Sequence, residues 1–204
     1  SHQLDDPDRG FAFRHKELAL PLDMRMGKEA PLSAADLLNT YDAKTLESIL
    51  KEYGEVWNAS KLVTAIINYR KKTKIQTIGQ FVQLASPFTI GQVNQYMAKV
   101  FQALRIAVNN EMDVLKAVLE DSIQFIKPGG RLVILSYHSL EDRMVKHVIQ
   151  TGNVEGIINQ DQYGNKKMYY KAITKKPLLP NEKEVKENYR ARSARLRIAE
   201  KLAE

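Results

Sequence analysis

Apolar residues recur at helical spacing from Ser33 to Ile126, and after Pro128-Gly129-Gly130 that period stops. Arg131-Leu132-Val133-Ile134-Leu135-Ser136-Tyr137 follows as a short, nearly continuous apolar run behind a Gly-Gly turn. Such a run predicts a buried strand, parallel to its neighbours. Ser139 with Asp142 is placed to cap a helix running to about Gln150. Residues 115–150 therefore read helix, tight turn, buried strand, helix, which is a piece of an α/β sheet.

Upstream, the chain is helical. Ser33, with Asp36 three residues on, opens a pattern of Leu37, Leu38, Tyr41, Leu46, Ile49, Leu50 and Tyr53 that Gly54 closes. A second helix is expected from about Trp57 to Arg70, and a short third follows Thr77 and ends at Pro87. Gln92 to Ile126 is long enough to invite a break, and Asn109-Asn110 is the expected place. Residues 1–32 read as irregular, because Pro7, Gly10, Pro21, Gly27 and Pro31 interrupt any period. They still carry Phe11, Phe13, Leu22 and Met24, so the segment needs a body to pack on.

Near the end, Met168 to Thr174 predicts a strand. Ala194, Leu196 and Ile198 alternate with Arg195 and Arg197, which favours a second strand with an arginine face over a helix built on Leu196, Ala199 and Leu202. The net charge is +7, and residues 165–204 carry all of it, with twelve Lys and Arg against five Asp and Glu. Basic side chains on phosphates release counterions, so this concentration suits a polyanion; a solvated basic tail is the plain alternative.

Several classes are excluded. The chain has no cysteine, which removes disulfides, thiolate catalysis and cysteine-bound zinc. His2, His15, His138 and His147 lack metal-ligand spacing, so no metal is expected. No GxSxG and no glycine-rich phosphate loop occurs, and Gly129-Gly130 precedes a strand rather than linking a strand to a helix. No apolar run reaches about 18 residues, and the polar, acidic start is no signal peptide, so a cytoplasmic protein is expected. The start also lacks Met, which reads as processed or truncated.

Open α/β sheets place ligands at the carboxyl ends of their strands. Here that position holds Ser136-Tyr137-His138-Ser139-Leu140-Glu141-Asp142-Arg143. Alone it is a weak signal: Ser139 can be only a cap, Glu141 and Asp142 only a favourable first turn, and His138 only a turn residue.

The ordered blocks are more specific. They are Ser1-His2-Gln3-Leu4-Asp5-Asp6-Pro7, Arg9-Gly10-Phe11, Pro21-Leu22-Asp23-Met24-Arg25-Met26, Leu38-Asn39-Thr40-Tyr41, the stretch from Phe101 to Asn109, and Pro128 to Leu132. The Ser136–Arg143 cluster, Ile173 to Pro177 and Arg190-Ala191-Arg192-Ser193-Ala194-Arg195-Leu196-Arg197 complete the series. In this order, across nearly the whole chain, they resemble the RsmH/MraW methyltransferases, which N4-methylate a cytosine in 16S ribosomal RNA. Tyr189 stands where that family usually has Pro, and Tyr137 where it has Phe.

The resemblance implies an α/β fold: a partial Rossmann-like, S-adenosylmethionine-dependent methyltransferase sheet with an inserted all-α domain. Residues 1–32 would begin the methyltransferase segment, 33–100 would form the insertion, and 101–204 would return to the sheet. It also implies that the cofactor's glycine-rich loop lies upstream of Ser1, so that Ser1 and Gln3 are the cofactor contacts this chain retains. His138 and Ser139 are expected near the target base. Arg190, Arg192, Arg195, Arg197 and Arg143 are the candidate RNA contacts, and the partner is the 30S subunit with its 16S rRNA. Two further readings stand beside this one: a non-catalytic RNA- or ribosome-binding fragment, and an inactive, rearranged fragment whose exposed sheet edge makes a homodimer.

Overall fold

A computed structural model describes residues 18–27, 30–160, 164 and 168–203. The chain divides into two compact units, Ser1–Glu111 and Met112–Glu204. Among the described residues no helix is long and apolar enough to cross a membrane.

The first unit is helical: α1 (Ala34–Thr40), α2 (Ala43–Gly54), α3 (Ala59–Arg70), α4 (Ile78–Ala85) and α5 (Val93–Val108). Ser33 and Asp36 form the expected capping box of α1. The single helix expected from Ser33 to Tyr53 is two, because the Asp42 side chain accepts the Thr45 amide and starts α2 afresh. Thr77 and Gln80 form a second capping box at α4. The long pattern breaks at Asn109-Asn110 as expected, and Asn110 takes a left-handed conformation with φ 49°. α5 runs through to Val108, and Leu22 and Met24, fully buried, belong to the same core as Leu38, Leu62, Ile66 and Phe81.

The irregular segment enters that core by satisfying helix ends. The first amides of a helix lack intrahelical partners. Here Leu18 and Leu20 carbonyls accept from Gly79 and Ile78 at the start of α4, and Leu22 and Asp23 carbonyls accept from Ala35 and Ala34 at the start of α1. A side chain at position 79 would place its Cβ 2.8 Å from the Leu18 carbonyl oxygen, so this approach requires Gly79. Asn109 holds the other end of the segment. Its amide nitrogen donates to the Met24 carbonyl at 2.8 Å, and its oxygen accepts the Met26 amide at 2.7 Å. Met24, at φ 64°, sits where a non-glycine residue needs such support. Asn109→Ala leaves the buried Met24 backbone unpaired and should cost about 2–3 kcal/mol in urea denaturation.

The second unit is α/β. α6 (Glu111–Phe125) begins at the last residue of the first unit; β1 (Arg131–Ser136), α7 (Ser139–Thr151), β2 (Tyr170–Ala172), α8 (Glu182–Glu187) and β3 (Arg195–Lys201) follow. Lys127 to Gly130 is a turn closed by the Gly130 amide on the Lys127 carbonyl, with Pro128 second and Gly129 at φ 80° in third place. The sheet order is β1-β3-β2, antiparallel throughout. This corrects the parallel reading of β1. Its observed neighbour is β3, with Val133 opposite Ile198 and Leu135 opposite Leu196. It also corrects the fully buried reading. Leu132 packs with Leu119, Val145, Val148 and Ala199, whereas Val133 and Leu135 on the other face are half exposed. The alternating reading of residues 194–198 is a strand, with Arg195 and Arg197 on one face.

Candidate functional site at the carboxyl end of strand β1

Chain direction places Ser136, Tyr137 and His138 where β1 hands over to α7. Ser136 is buried, and its hydroxyl donates to the Arg195 carbonyl at 3.3 Å. His138 is the N-cap, and Glu141 three residues on folds back over the turn. The Glu141 carboxylate accepts the Tyr137 amide at 2.8 Å and the His138 amide at 3.4 Å. Glu141, not the expected Asp142, therefore closes this helix start.

The Glu141 carboxylate also stands 3.1 Å from His138 Nε2. Burial pushes the Glu141 carboxyl up, but the His138 contact and the Tyr137 amide outweigh it and hold it below the usual carboxylate range. Neither ring nitrogen of His138 has a hydrogen bond of acceptable geometry, though both are shielded from solvent. A buried polar atom without a well-formed hydrogen bond is uncommon, and strain or a catalytic role are among its explanations. Ser139 occupies the first helical position, half-buried, and Arg143 faces solvent one turn on.

Asp142 has a different task. Its carboxylate takes two hydrogen bonds from Arg197, Nε at 2.6 Å and Nη2 at 3.0 Å, with Arg195 Nη1 at 3.5 Å from one oxygen. The Arg197 hydrogen bond is the main cause holding the Asp142 carboxyl below its usual value, against the opposing effect of burial. This bidentate pair clamps the first turn of α7 to β3, just behind the polar turn. Arg197, 7% exposed, is thereby set apart from the other arginines proposed for RNA. Arg195 is half-buried beside it, while Arg190 and Arg192 lie on an exposed 3-10 turn, Tyr189–Ser193. The guanidinium of Arg192 stacks 4.1 Å from the centre of the Tyr189 ring, and Tyr189 is 68% exposed.

The proposed cofactor contacts, Ser1 and Gln3, and the Phe11–Phe13 loop lie outside the described residues. The connection from β1 to α7 is Tyr137-His138 and carries no glycine. It does not offer the bare backbone that lets a nucleotide cofactor approach closely, so the described residues do not by themselves form a cradle for one.

The chain is thus a mixed α/β protein whose polar turn stands at a strand's carboxyl end, the end at which open α/β sheets place ligands. The pattern of the MraW methylase family matches residues 1–202, and the chain belongs to that family. It is 48% identical over 202 residues to ribosomal RNA small subunit methyltransferase H of Bacteroides fragilis, covering 98% of this chain and 66% of that protein. The enzyme of the same name from Parabacteroides distasonis is 45% identical over 203 residues, covering 99% of this chain and 66% of its own length. That of Flavobacterium johnsoniae is 43% identical over 203 residues, with the same coverage. The chain thus spans about two thirds of the length of the curated relatives it matches.

Proposed function

We propose that this chain is the larger part of an S-adenosylmethionine-dependent enzyme that methylates the N4 amine of a cytosine in the 16S rRNA of the small ribosomal subunit. The observation that carries the reading is the turn of Ser136 to Asp142, which presents a shielded imidazole beside the Glu141 carboxylate at a sheet end, in a chain of this family. On this reading β1-β3-β2 is one side of a Rossmann-like sheet and the helical unit is an insertion that recognises substrate. The cofactor supplies the methyl group, with Ser1 and Gln3 among the residues that hold it. The target base must leave its stack to reach such a turn.

Calorimetric titration with S-adenosylmethionine, paired with methyl transfer to 30S particles, tests this. Binding and transfer support the reading. No binding by this chain, with transfer by a protein of the relatives' full length, would make this polypeptide a non-catalytic RNA-binding piece. Failure of both would overturn the reading.

RNA contact is assigned to the exposed Arg190, Arg192 and Arg143, with the half-buried Arg195. Tyr189, already stacked on Arg192, leaves its other face for an unpaired base. Replacing Arg190 and Arg192 by Gln should reduce the slope of log affinity against log salt by about 1.4 for single-stranded RNA. An unchanged slope would return this surface to a solvated tail. The dimer reading rests on β1, which pairs only with β3 among the described residues. Sedimentation at rising concentration decides it.

A further inference from the structure

The end of the sheet opposite the polar turn holds a cavity of about 650 Å³. It lies within the second unit, between the last turn of α6, the Lys127–Gly130 turn, the C-cap of α7 and the ends of β2 and β3. Lys201, the last residue of β3, lines it and is only 5% exposed. A lysine at a strand end normally carries its ammonium out to water. Here Nζ lies 5.0 Å from the centre of the Tyr169 ring and 5.9 Å from that of Tyr170. Among the described residues it has neither an ion pair nor a hydrogen bond. The acid in the lining, Glu120, stands 3.7 Å from Lys116 instead.

Ring faces attract an ammonium, and the carboxyl ends of α6 and α7 add partial negative charge on the same side. Neither is a hydrogen-bond acceptor of ordinary strength, so the ammonium keeps its donors for what enters the cavity. A second cation, Lys127, stands exposed at the rim, and Ile123, Ile126 and Pro128 supply apolar wall. The volume lies in the range of small-molecule sites.

We propose that this cavity binds a nucleoside monophosphate group, its phosphate on Lys201 and Lys127 and its base against Ile123, Ile126 and Pro128. A phosphate supplies the charged acceptors that Lys201 lacks. The group can come from a free nucleotide or from an RNA strand.

The test is an NMR titration of this chain that follows the Tyr169 and Lys201 signals, with AMP, adenosine, inorganic phosphate and an RNA pentanucleotide as probes. AMP should move both signals with a Kd of about 1 mM or tighter. Adenosine and phosphate alone should each bind at least about tenfold more weakly, since each makes half the contacts. Lys201→Met should weaken AMP at least about tenfold, and the exposed Lys127→Gln about threefold. Should Lys201→Met fail to fold by circular dichroism, Lys127→Gln decides alone. If the pentanucleotide moves the same signals at lower concentration than AMP, the source is RNA; otherwise it is free nucleotide. The proposal is overturned if AMP moves neither signal up to about 10 mM, or if the folded variants bind it as the parent chain does. Lys201 then serves only to neutralise the two helix ends.

Discussion

Asp142→Asn should destabilise the second unit by about 3–5 kcal/mol, because it leaves the buried Arg197 guanidinium without its counter-charge. The pair is well suited to show this. Both side chains are about one tenth exposed, and the contact is bidentate. Arg195 at 3.5 Å adds a second, more exposed cation whose share is small. Hydrogen exchange at the β3 amides Arg195 to Lys201, read alongside urea denaturation, would place the loss at the clamp. A change below about 1 kcal/mol would mean the pair is solvated in solution and the clamp is absent. Replacing both partners, Asp142→Leu with Arg197→Met, should recover most of the loss, since the penalty comes from the orphaned charge.

The same pair sets a pH dependence. The Asp142 carboxyl is held below its ordinary value in the folded chain. Its contribution is therefore fully present above the unfolded carboxylate pKa of about 3.9 and is lost as pH falls through the lower folded value. The Asn variant should lose that part of the acid transition, so the two denaturation profiles should converge toward low pH.

Asp142 also shows where sequence reading stops. In the sequence it stands three residues after Ser139, the spacing of a capping box, and nothing local separates it from Glu141. Its partner is 55 residues away on a strand whose register comes from pairing across the sheet. The alternation of Arg195 and Arg197 revealed that strand and its arginine face, but not which arginine would turn to an acid. Elsewhere local chemistry was enough. The break at Asn109-Asn110, the boxes at Ser33 and the turn at Pro128-Gly129-Gly130 each follow from one or two residues with strong backbone preferences. The break at Asp42 was hidden because apolar spacing runs straight through it. The direction of β1 was hidden for a related reason. A run that is apolar on both faces reads as covered on both, whatever the strand beside it does, and here Val133 and Leu135 lie uncovered. The family blocks in the helical unit have structural explanations of their own. Asn39 pins the Ile75 backbone, the Arg70 guanidinium closes the carbonyls of Leu38 and Tyr41, and Asn109 holds Met24 and Met26. In the block around His138, Ser136, Glu141 and Asp142 have such tasks as well, and the His138 ring is what they leave unexplained.

His138→Ala, in a protein of the relatives' full length acting on 30S particles, should lower kcat about 100-fold while Glu141 keeps the turn closed. Truncation removes the contact of Nε2 with the Glu141 carboxylate at 3.1 Å, while Glu141 still holds the Tyr137 and His138 amides. The aromatic amine of cytosine is a weak nucleophile that must shed a proton as it is methylated, and a positioned base is worth about 100-fold or more. A neutral His138 can take that proton on a ring nitrogen. The imidazolium so formed would stand 3.1 Å from a carboxylate already held in its ionised form. Glu141→Gln separates proton acceptance from mere turn closure. The amide oxygen can still accept from the two backbone amides, but the charge that favours the imidazolium is gone. It should therefore lower kcat by about tenfold, with little change in KM. Ser139→Ala should act more weakly and on KM if the hydroxyl only helps to seat the base. If His138→Ala turns over within about twofold of the parent enzyme, the assignment of proton acceptance to this turn is wrong. The shielded imidazole would then be a matter of packing alone.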